Sequence, residues 1–209
     1  MSAFPVDPMA VAPFLLAVTL IELTPGPNMG YLAALSAAEG RVAGFKAVLG
    51  VTAGLAFYMT LAVAGVAEVI ASAPMVYGAL RWAGVLYLLY LAFEAWRGAE
   101  EASPGHARRS DHAPFWRGLL ANLLNPKAMV FYVALLPGFI APDRGPVWLQ
   151  ALLLGSAHLL ISFAVHSLIV VGAARAGVII TQSSHALMVR RGLALGIGAV
   201  AVWLAWETR

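Results

Sequence analysis

The first apolar stretch of the chain, residues 9–38, is interrupted by the sequence Glu22-Leu-Thr-Pro-Gly-Pro-Asn-Met29. A helix needs about 20 residues to cross the roughly 30 Å hydrocarbon core of a bilayer, so this stretch is long enough to span it. Pro25 and Pro27 each remove a backbone donor and clash with the preceding turn, which predicts a break. Irregular backbone at membrane depth persists only where protein or a water-filled cavity satisfies it. A broken helix that carries a carboxylic acid therefore indicates a pathway or a binding site.

The composition places the whole chain in a membrane. Apolar residues make up 61% of the 209 residues and charged residues only 11%, and the mean hydropathy is +0.83. A soluble domain of this size needs a polar surface. The chain has no cysteine, which excludes disulfides, thiolate metal sites and thiol redox chemistry. Its net charge of +3 comes from basic residues between apolar segments, a pattern that indicates membrane orientation and not nucleic-acid binding.

Six apolar segments predict an all-α membrane protein with six transmembrane helices. They occupy residues 9–38, 44–67, 75–96, 118–140, 147–171 and 187–206. A polar connector, 98–117, separates a first repeat at 9–96 from a second at 118–206 within one integral membrane domain, 1–209. Related halves with an odd number of spans must have opposite orientations, so we expect two inverted three-helix repeats.

The basic residues predict the orientation of these spans. The loops after spans one, three and five contain nine Lys and Arg residues, whereas three lie on the other side. The nine are Arg41, Lys46, Arg97, Arg108, Arg109, Arg117, Arg175, Arg190 and Arg191. By the positive-inside rule, the connector lies in the cytoplasm and both termini lie in the periplasm.

A weak internal repeat relates the two halves. A shift of 101 residues aligns Pro25 and Tyr31 with Pro126 and Tyr132. The aligned part of span four reads Asn125-Pro126-Lys127, so a second proline break carries a second ionisable residue. We therefore expect spans one and four to be broken at their proline motifs, and opposite orientations would bring these motifs face to face near the midplane.

Glu22 and Lys127 lie near the centres of spans one and four. An unpaired charge there costs roughly 2.5 to 3.5 kcal/mol on insertion scales. Two interpretations are open. In the first, the two side chains pair and hold the halves together. In the second, Glu22 titrates or contacts a substrate ammonium, while Lys127 meets a substrate carboxylate.

Two histidines of span five form another candidate group. His158 and His166 lie near one face of the helix, about 80° apart at 100° per residue, with Ser162 between them. Three interpretations are open: a proton relay with Glu22, a weak metal site, or neutral side chains that hydrogen-bond a neighbouring helix.

The competing classes of function are an intramembrane enzyme and a metal-ion exporter. The stretch from His158 to His166 lacks the acid of a His-Glu-x-x-His site, and Gly155-Ser156-Ala157 does not make a Gly-x-Ser-x-Gly elbow. We therefore expect no enzyme, no cofactor and no resident metal. Exporters of soft metals favour thiolates, which the chain lacks, although His and Met remain available. A divalent metal-ion exporter stays the alternative.

Two glycine pairs predict close helix packing. Gly50 and Gly54 in span two, and Gly192 and Gly196 in span six, have the spacing that lets neighbouring helices approach. We expect both pairs to act in packing and not in chemistry.

Three motifs follow one another along the chain and together resemble a known family. They are Leu23-Thr-Pro-Gly-Pro-Asn-Met29, Glu39-Gly40-Arg41 with Gly44, and Leu123-Leu-Asn-Pro-Lys-Ala128 followed by Leu136-Pro137. In this order they resemble the LysE/RhtB family of bacterial amino-acid exporters. The resemblance implies a multi-pass transporter of the bacterial inner membrane that exports an amino acid by antiport with protons. It favours the branch for neutral amino acids such as homoserine, threonine or leucine, whereas Glu22 would suit a cationic side chain.

These residues combine into one predicted site for alternating access. Helix N-terminal amides and Lys127 would hold the carboxylate of the substrate, and unwound carbonyls or Asn28 would hold its ammonium. The predicted site consists of Glu22, Thr24, Pro25, Gly26, Pro27, Asn28, Asn125, Pro126, Lys127, His158 and His166. The expected partners are an amino acid, protons and the lipid bilayer, without nucleic acid, and a homodimer is left open.

Overall fold

The computed structural model of the chain describes residues 5–24, 26–65, 113–181 and 186–207, with short pieces between 75 and 97. Its helices are α1 (Pro8–Leu23), α2 (Pro27–Glu39), α3 (Arg41–Val63), α4 (Ala113–Leu123), α5 (Pro126–Val130), α6 (Val147–Thr181) and α7 (Ala186–Glu207). The described residues contain no strand, so the predicted all-α class is confirmed. Pro25, half of the predicted span three and residues 98–112 of the connector lie outside the described residues.

Two single helices and one bent pair are able to cross a membrane. Helix α3 and the Val147–Ala176 part of α6 are each long and apolar enough. Helices α1 and α2 qualify together, as a pair bent by 52° at a short break. The described residues therefore contain two apolar spans, or three when the bent pair counts as one. The arrangement of six spans in two inverted repeats stays a prediction.

The break between α1 and α2 lies at the first proline motif. Helix α1 ends at Leu23, and Thr24 is extended although its N–H still donates to the carbonyl of Leu20 at 3.0 Å. Gly26 is also extended, and Pro27 is the first residue of α2. Proline suits this position because the first N–H groups of a helix have no partner within it. The break predicted for the first span is present, and Pro27 begins a new helix there.

A second break separates α4 from α5 at Asn125. This residue is extended and caps α5, because its side-chain oxygen accepts from the N–H of Lys127 at 3.0 Å. Pro126 again occupies the first helical position. The chain continues as a π-helical turn, Phe131–Leu135, and a 3₁₀ turn, Leu136–Phe139. The segment predicted as span four thus has a helix break at its motif and is irregular beyond it.

Helices α3 and α4 run in the same direction with their backbones in contact. A Cβ atom added to Gly50 would clash with the carbonyl group of Phe115. Farther along both helices, the Tyr58 hydroxyl donates to the carbonyl of Leu123 at 2.6 Å. Both contacts join residues 65 positions apart in the chain, which requires parallel helices. A helix of the first half therefore packs directly against a helix of the second.

The two predicted glycine pairs differ. Like Gly50, Gly54 faces α4, where an added Cβ would lie 2.6 Å from the side-chain oxygen of Asn122. Close packing is therefore confirmed for the pair in α3. A Cβ added to Gly192 or Gly196 of α7 would meet nothing within 4 Å among the described residues, so a close neighbour of that pair is not found there.

Two hydrophobic clusters flank a layer of buried polar side chains. The first joins α2, α3, α4 and α6, and includes Leu32, Val48, Ala121 and Val170. The second joins α1, α3, α5, α6 and the turns after α5, and includes Phe14, Leu55, Met129, Tyr132 and Leu154. Along α6, the buried side chains of His158, Ser162 and His166 lie between Leu154 and Val170. The hydrophobic core thus positions a polar layer partway along the helices.

Candidate functional site

Glu22 is the centre of a buried polar cluster. It lies in the last turn of α1 and is 7% exposed. Its Oε1 lies 3.1 Å from Nε2 of His158, and its Oε2 lies 3.8 Å from Nε2 of His166. Both histidines come from one side of α6, as their spacing predicts. Glu22 therefore contacts one imidazole with each carboxylate oxygen.

The second nitrogen of each imidazole also has a partner. The Ser162 hydroxyl lies 3.1 Å from Nδ1 of His166, and the Tyr132 hydroxyl lies 3.2 Å from Nδ1 of His158. The hydrogen bond at one ring nitrogen selects the tautomer and so decides what the other nitrogen can do. When both hydroxyls donate to Nδ1, both Nε2–H groups point toward Glu22. The ionised carboxylate then has donors on two sides.

The connected groups Tyr132, His158 and Glu22 have a second consistent arrangement. When Glu22 is protonated, its O–H donates to Nε2 of His158, and the Nδ1–H of the same ring donates to the oxygen of Tyr132. The two arrangements differ by one proton. A proton that reaches the Tyr132 oxygen can therefore arrive at Glu22 by one shift along each hydrogen bond.

Lys127 connects the two proline motifs. Its Nζ donates to the backbone carbonyl of Thr24 at 2.8 Å. Its Cδ would lie 3.5 Å from a Cβ added to Gly26. Of the ion pairs found among the described residues, none joins Lys127 to Glu22. The motifs thus lie face to face, but direct pairing of the two charges, one of the two interpretations from the sequence, is not what the structure has.

The other predicted site residues take several positions. The hydroxyl of Thr24 donates to the carbonyl of Leu20 at 2.7 Å, so its backbone carbonyl, and not its side chain, is the group that meets Lys127. Asn28 lies in the first turn of α2 and is 5% exposed, and its Oδ1 has no hydrogen-bond partner among the described residues. The side chain of Asn125 is engaged in capping α5.

A small cavity lies where the two breaks meet α6. Its volume is about 20 Å³. The polar part of its wall consists of Glu22, Asn28, Asn122, Asn125, Lys127, His158, Ser162 and His166. The apolar part consists of Ile21, Gly26, Met29, Leu55, Ala128 and Phe131. Such a volume holds about one water molecule, so a larger ligand requires the surrounding helices to move.

Metal-ligand residue types are present in this cluster, but their arrangement is that of a hydrogen-bond network. Both ring nitrogens of His158 lie within hydrogen-bond distance of protein oxygens. Within the described ranges, no group of three or more His, Cys, Asp or Glu side chains is placed to hold a metal ion. Contact with Glu22 is instead the geometry that a proton relay requires.

Sequence reasoning missed two residues of the site. Asn122 of α4 is 1% exposed and lines the cavity, although it appears in the sequence as one polar residue in an apolar span. The sequence did indicate Asn122 indirectly, because an amide is costly to bury inside a membrane and is rarely placed there without a role. Tyr132 is also 1% exposed and meets His158 from the π-helical turn. Its only signal was its alignment with Tyr31 in the repeat.

The chain matches one protein family and is similar to several known proteins. The model of the LysE type translocator family matches residues 19–208. The chain is similar to an uncharacterized membrane protein of Pseudomonas aeruginosa, with 37% identity over 136 residues, which are 62% of this chain and 63% of the relative. It is also similar to the leucine efflux protein of Salmonella typhimurium, with 37% identity over 139 residues, which are 63% of this chain and 65% of the relative.

The chain spans less than two thirds of the length of these relatives. No solved structure matches it significantly. The family match, by contrast, extends over most of the chain, and translocators are transport proteins and not enzymes, which confirms that expectation from the sequence. On this match, the chain belongs to the LysE type translocator family.

Proposed function

We propose that this protein exports a neutral aliphatic amino acid from the cytoplasm across the bacterial inner membrane in exchange for protons. The observation that carries the proposal is the cavity at the two helix breaks. There, the ammonium group of Lys127 and the carboxylate of Glu22 lie within one wall of mixed polar and apolar side chains. The similar leucine efflux proteins support an amino acid as the transported molecule.

The carboxylate of the substrate binds between Lys127 and the start of α2 in this proposal. The first N–H groups of a helix carry a partial positive charge and lack partners within the helix. No side chain caps the start of α2 at Gly26. Lys127 lies beside Gly26, so the ammonium of Lys127 and the N-terminus of α2 attract a carboxylate to the same position.

The apolar part of the cavity binds the substrate side chain. Ile21, Leu55 and Phe131 line the cavity and present hydrocarbon surface. Burial of an aliphatic side chain there stabilises the complex by about 25 cal/mol per Å² of apolar surface. A lysine side chain would place its ammonium against the same surface, which favours a neutral substrate over a cationic one.

Glu22 is the proton-binding group of the proposed cycle. Glu22 takes up a proton when the cavity opens to the periplasm and releases it when the cavity opens to the cytoplasm. One proton therefore enters the cell for each substrate molecule that leaves it. The two hydrogen-bond arrangements of Tyr132, His158 and Glu22 support this role, because both protonation states have satisfied partners.

Alternating access and periplasmic termini complete the proposal. The side chain of Asp7, before α1, lies 3.3 Å from that of Arg144, in the loop before α6. This contact supports placing the N-terminus and that loop on one side of the membrane, as six spans require. A cavity that holds about one water molecule supports a cycle in which helices part to admit the substrate. Assembly as a homodimer stays a prediction.

Transport by the purified protein in proteoliposomes tests the proposal. Vesicles loaded with leucine, threonine, homoserine or lysine receive an imposed pH gradient, and efflux is measured against protein-free vesicles. We expect leucine efflux that the gradient accelerates, and weaker efflux of lysine. Divalent metal transport without amino-acid efflux would establish the metal-exporter alternative instead.

Lys127→Gln tests the binding of the carboxylate. Loss of a hydrogen bond to a charged group raises the half-saturating leucine concentration by roughly 10- to 100-fold. Gly172→Ala is the matched control, because a Cβ added to Gly172 of α6 would meet no described atom within 4 Å. Unchanged saturation in Lys127→Gln would show that the carboxylate binds elsewhere.

A further inference from the structure

Asn122 is a buried amide whose hydrogen-bonding capacity is unused. It is 1% exposed, and neither its Oδ1 nor its Nδ2 has a partner among the described residues. An unsatisfied buried polar group destabilises a fold, because it loses its hydrogen bonds to water without replacement. Asn125, three residues later, differs in this respect, because its side-chain oxygen has a partner and caps a helix. Asn122 has no such structural role in the described part of the chain.

The position of Asn122 is determined by a glycine on the facing helix. A Cβ added to Gly54 would lie 2.6 Å from Oδ1, 2.9 Å from Cβ and 3.0 Å from Cγ of Asn122. Any larger residue at position 54 would therefore displace the amide. The side chains of Asn122 and Asn28 both line the cavity.

Asn28 repeats this pattern from α2. It is 5% exposed, and its Oδ1 likewise has no partner among the described residues. The amide of Asn122 and the amide oxygen of Asn28, on two helices, therefore lack described partners and belong to side chains that line one small cavity. Both side chains are uncharged, and together they offer at least two hydrogen-bond acceptors and one donor to a ligand.

We propose that Asn122, together with Asn28, binds the charged ends of an α-amino acid in this cavity, an inference that rests on the proposed function. The ammonium of the substrate donates to Oδ1 of both side chains, and its carboxylate accepts from Nδ2 of Asn122 in addition to its contact with Lys127. Asn122 provides one donor and one acceptor whichever way its amide is oriented. Because neutral amides hold the ammonium, Glu22 keeps its contacts with the histidines and stays available for a proton.

The substrate class follows from this chemistry. The two amides select molecules that carry an ammonium and a carboxylate on one carbon, whereas the choice of side chain is left to the apolar part of the cavity wall. An amine without the carboxylate and a 2-hydroxy acid without the ammonium should each fail to compete with leucine for efflux. Competition by both analogues at the concentration of leucine would contradict the proposal.

Asn122→Leu is the decisive variant, because leucine has the branched shape of asparagine without its polar atoms. We expect the half-saturating leucine concentration to rise roughly 10- to 100-fold, as for the loss of hydrogen bonds to charged groups. The thermal unfolding midpoint should stay the same or rise, since an unsatisfied amide is removed. A purely structural role would give the reverse: a lower midpoint and unchanged saturation.

Two further variants complete the test, one that displaces Asn122 and one that serves as a control. Gly54→Ala retains Asn122 but displaces it, so it should also raise the half-saturating concentration. Ser36→Ala is the control, because Ser36 of α2 is fully buried with a hydroxyl that has no described partner but lies outside the cavity wall. It should leave saturation unchanged. Absence of amino-acid efflux from wild-type vesicles would overturn the proposed function, whereas wild-type efflux with normal saturation in Asn122→Leu would overturn this inference alone.

Discussion

A carboxylate inside a membrane must be neutralised, hydrogen-bonded or hydrated, because burial of an isolated charge is costly. Glu22 meets this requirement with two imidazoles, at 3.1 Å and 3.8 Å. An imidazole can give or accept a proton at either nitrogen, whereas a lysine partner would only hold the carboxylate in its charged form. The choice of partners at this residue therefore favours a group that changes protonation over a group that fastens two helices.

Glu22→Gln should separate coupling from binding. The amide keeps the shape of the side chain and, like the protonated acid, offers one donor and one acceptor, but it has no removable proton. Acceleration of efflux by a pH gradient should therefore be lost. Exchange of labelled for unlabelled leucine should be retained. Efflux from proteoliposomes with and without a gradient measures the first effect, and counterflow measures the second.

The control for this variant is Glu39→Gln, which removes an exposed carboxylate at the end of α2, outside the cavity. It should respond to the gradient like the wild type. Gradient-driven efflux that persists in Glu22→Gln would remove this residue from the coupling mechanism and leave the two histidines as candidates.

Tyr132→Phe should slow gradient-driven efflux by roughly 2- to 10-fold, the kinetic equivalent of one hydrogen bond. The substitution removes the hydroxyl that lies 3.2 Å from His158, so a proton loses its path through that ring nitrogen. Tyr58→Phe is the matched comparison, because its ring stacks on Tyr132 but its hydroxyl donates to the carbonyl of Leu123. It should lower the unfolding midpoint and leave coupling intact. Equal coupling in both variants would show that Tyr132 is only part of the packing.

At the scale of helices, each proline motif ends one helix and begins another. The residue before a proline is kept out of the helical region of φ and ψ, and Asn125 is accordingly extended before Pro126. The other break, between α1 and α2, leaves the carbonyl of Thr24 outside a regular helix, and the ammonium of Lys127 donates to it. By contrast, α3 and α4 pack backbone to backbone, so the segment before the second break lies directly against α3.

Pro126→Ala should lower the efflux rate while the protein still inserts into the membrane. Alanine lets Asn125 adopt helical dihedral angles, so α4 and α5 can join and displace Lys127. Pro13→Ala is the control, because Pro13 lies on the exposed side of α1, away from the cavity. It should leave the rate unchanged. A normal rate in Pro126→Ala would mean that the second break serves only helix packing.

Local features of the chain were predictable from its sequence, and contacts between helices were not. Proline acts on its own backbone, so both breaks followed from residue types alone. The spacing of His158 and His166 predicted a shared helix face, but their contact with Glu22 depends on how α6 is rotated against α1. Asn122 was missed for the same reason: whether its amide has a partner depends on Gly54 and the distance between α3 and α4.

At the scale of the whole molecule, topology can be tested with reporter fusions. The excess of basic residues after odd-numbered spans predicts a cytoplasmic connector and a periplasmic C-terminus. A reporter that is active only in the cytoplasm should therefore be active when fused at Glu101 and inactive when fused at Arg209. Activity at Arg209 would contradict six spans with periplasmic termini.

The small volume of the cavity has a thermodynamic consequence for any measurement of affinity. At about 20 Å³, the cavity of this conformation excludes an amino acid, so only a more open population can bind one. The apparent dissociation constant then equals the intrinsic constant divided by the fraction of open molecules. Substitutions far from the substrate that favour opening would tighten binding without a new contact, and those that favour closure would weaken it without a lost one.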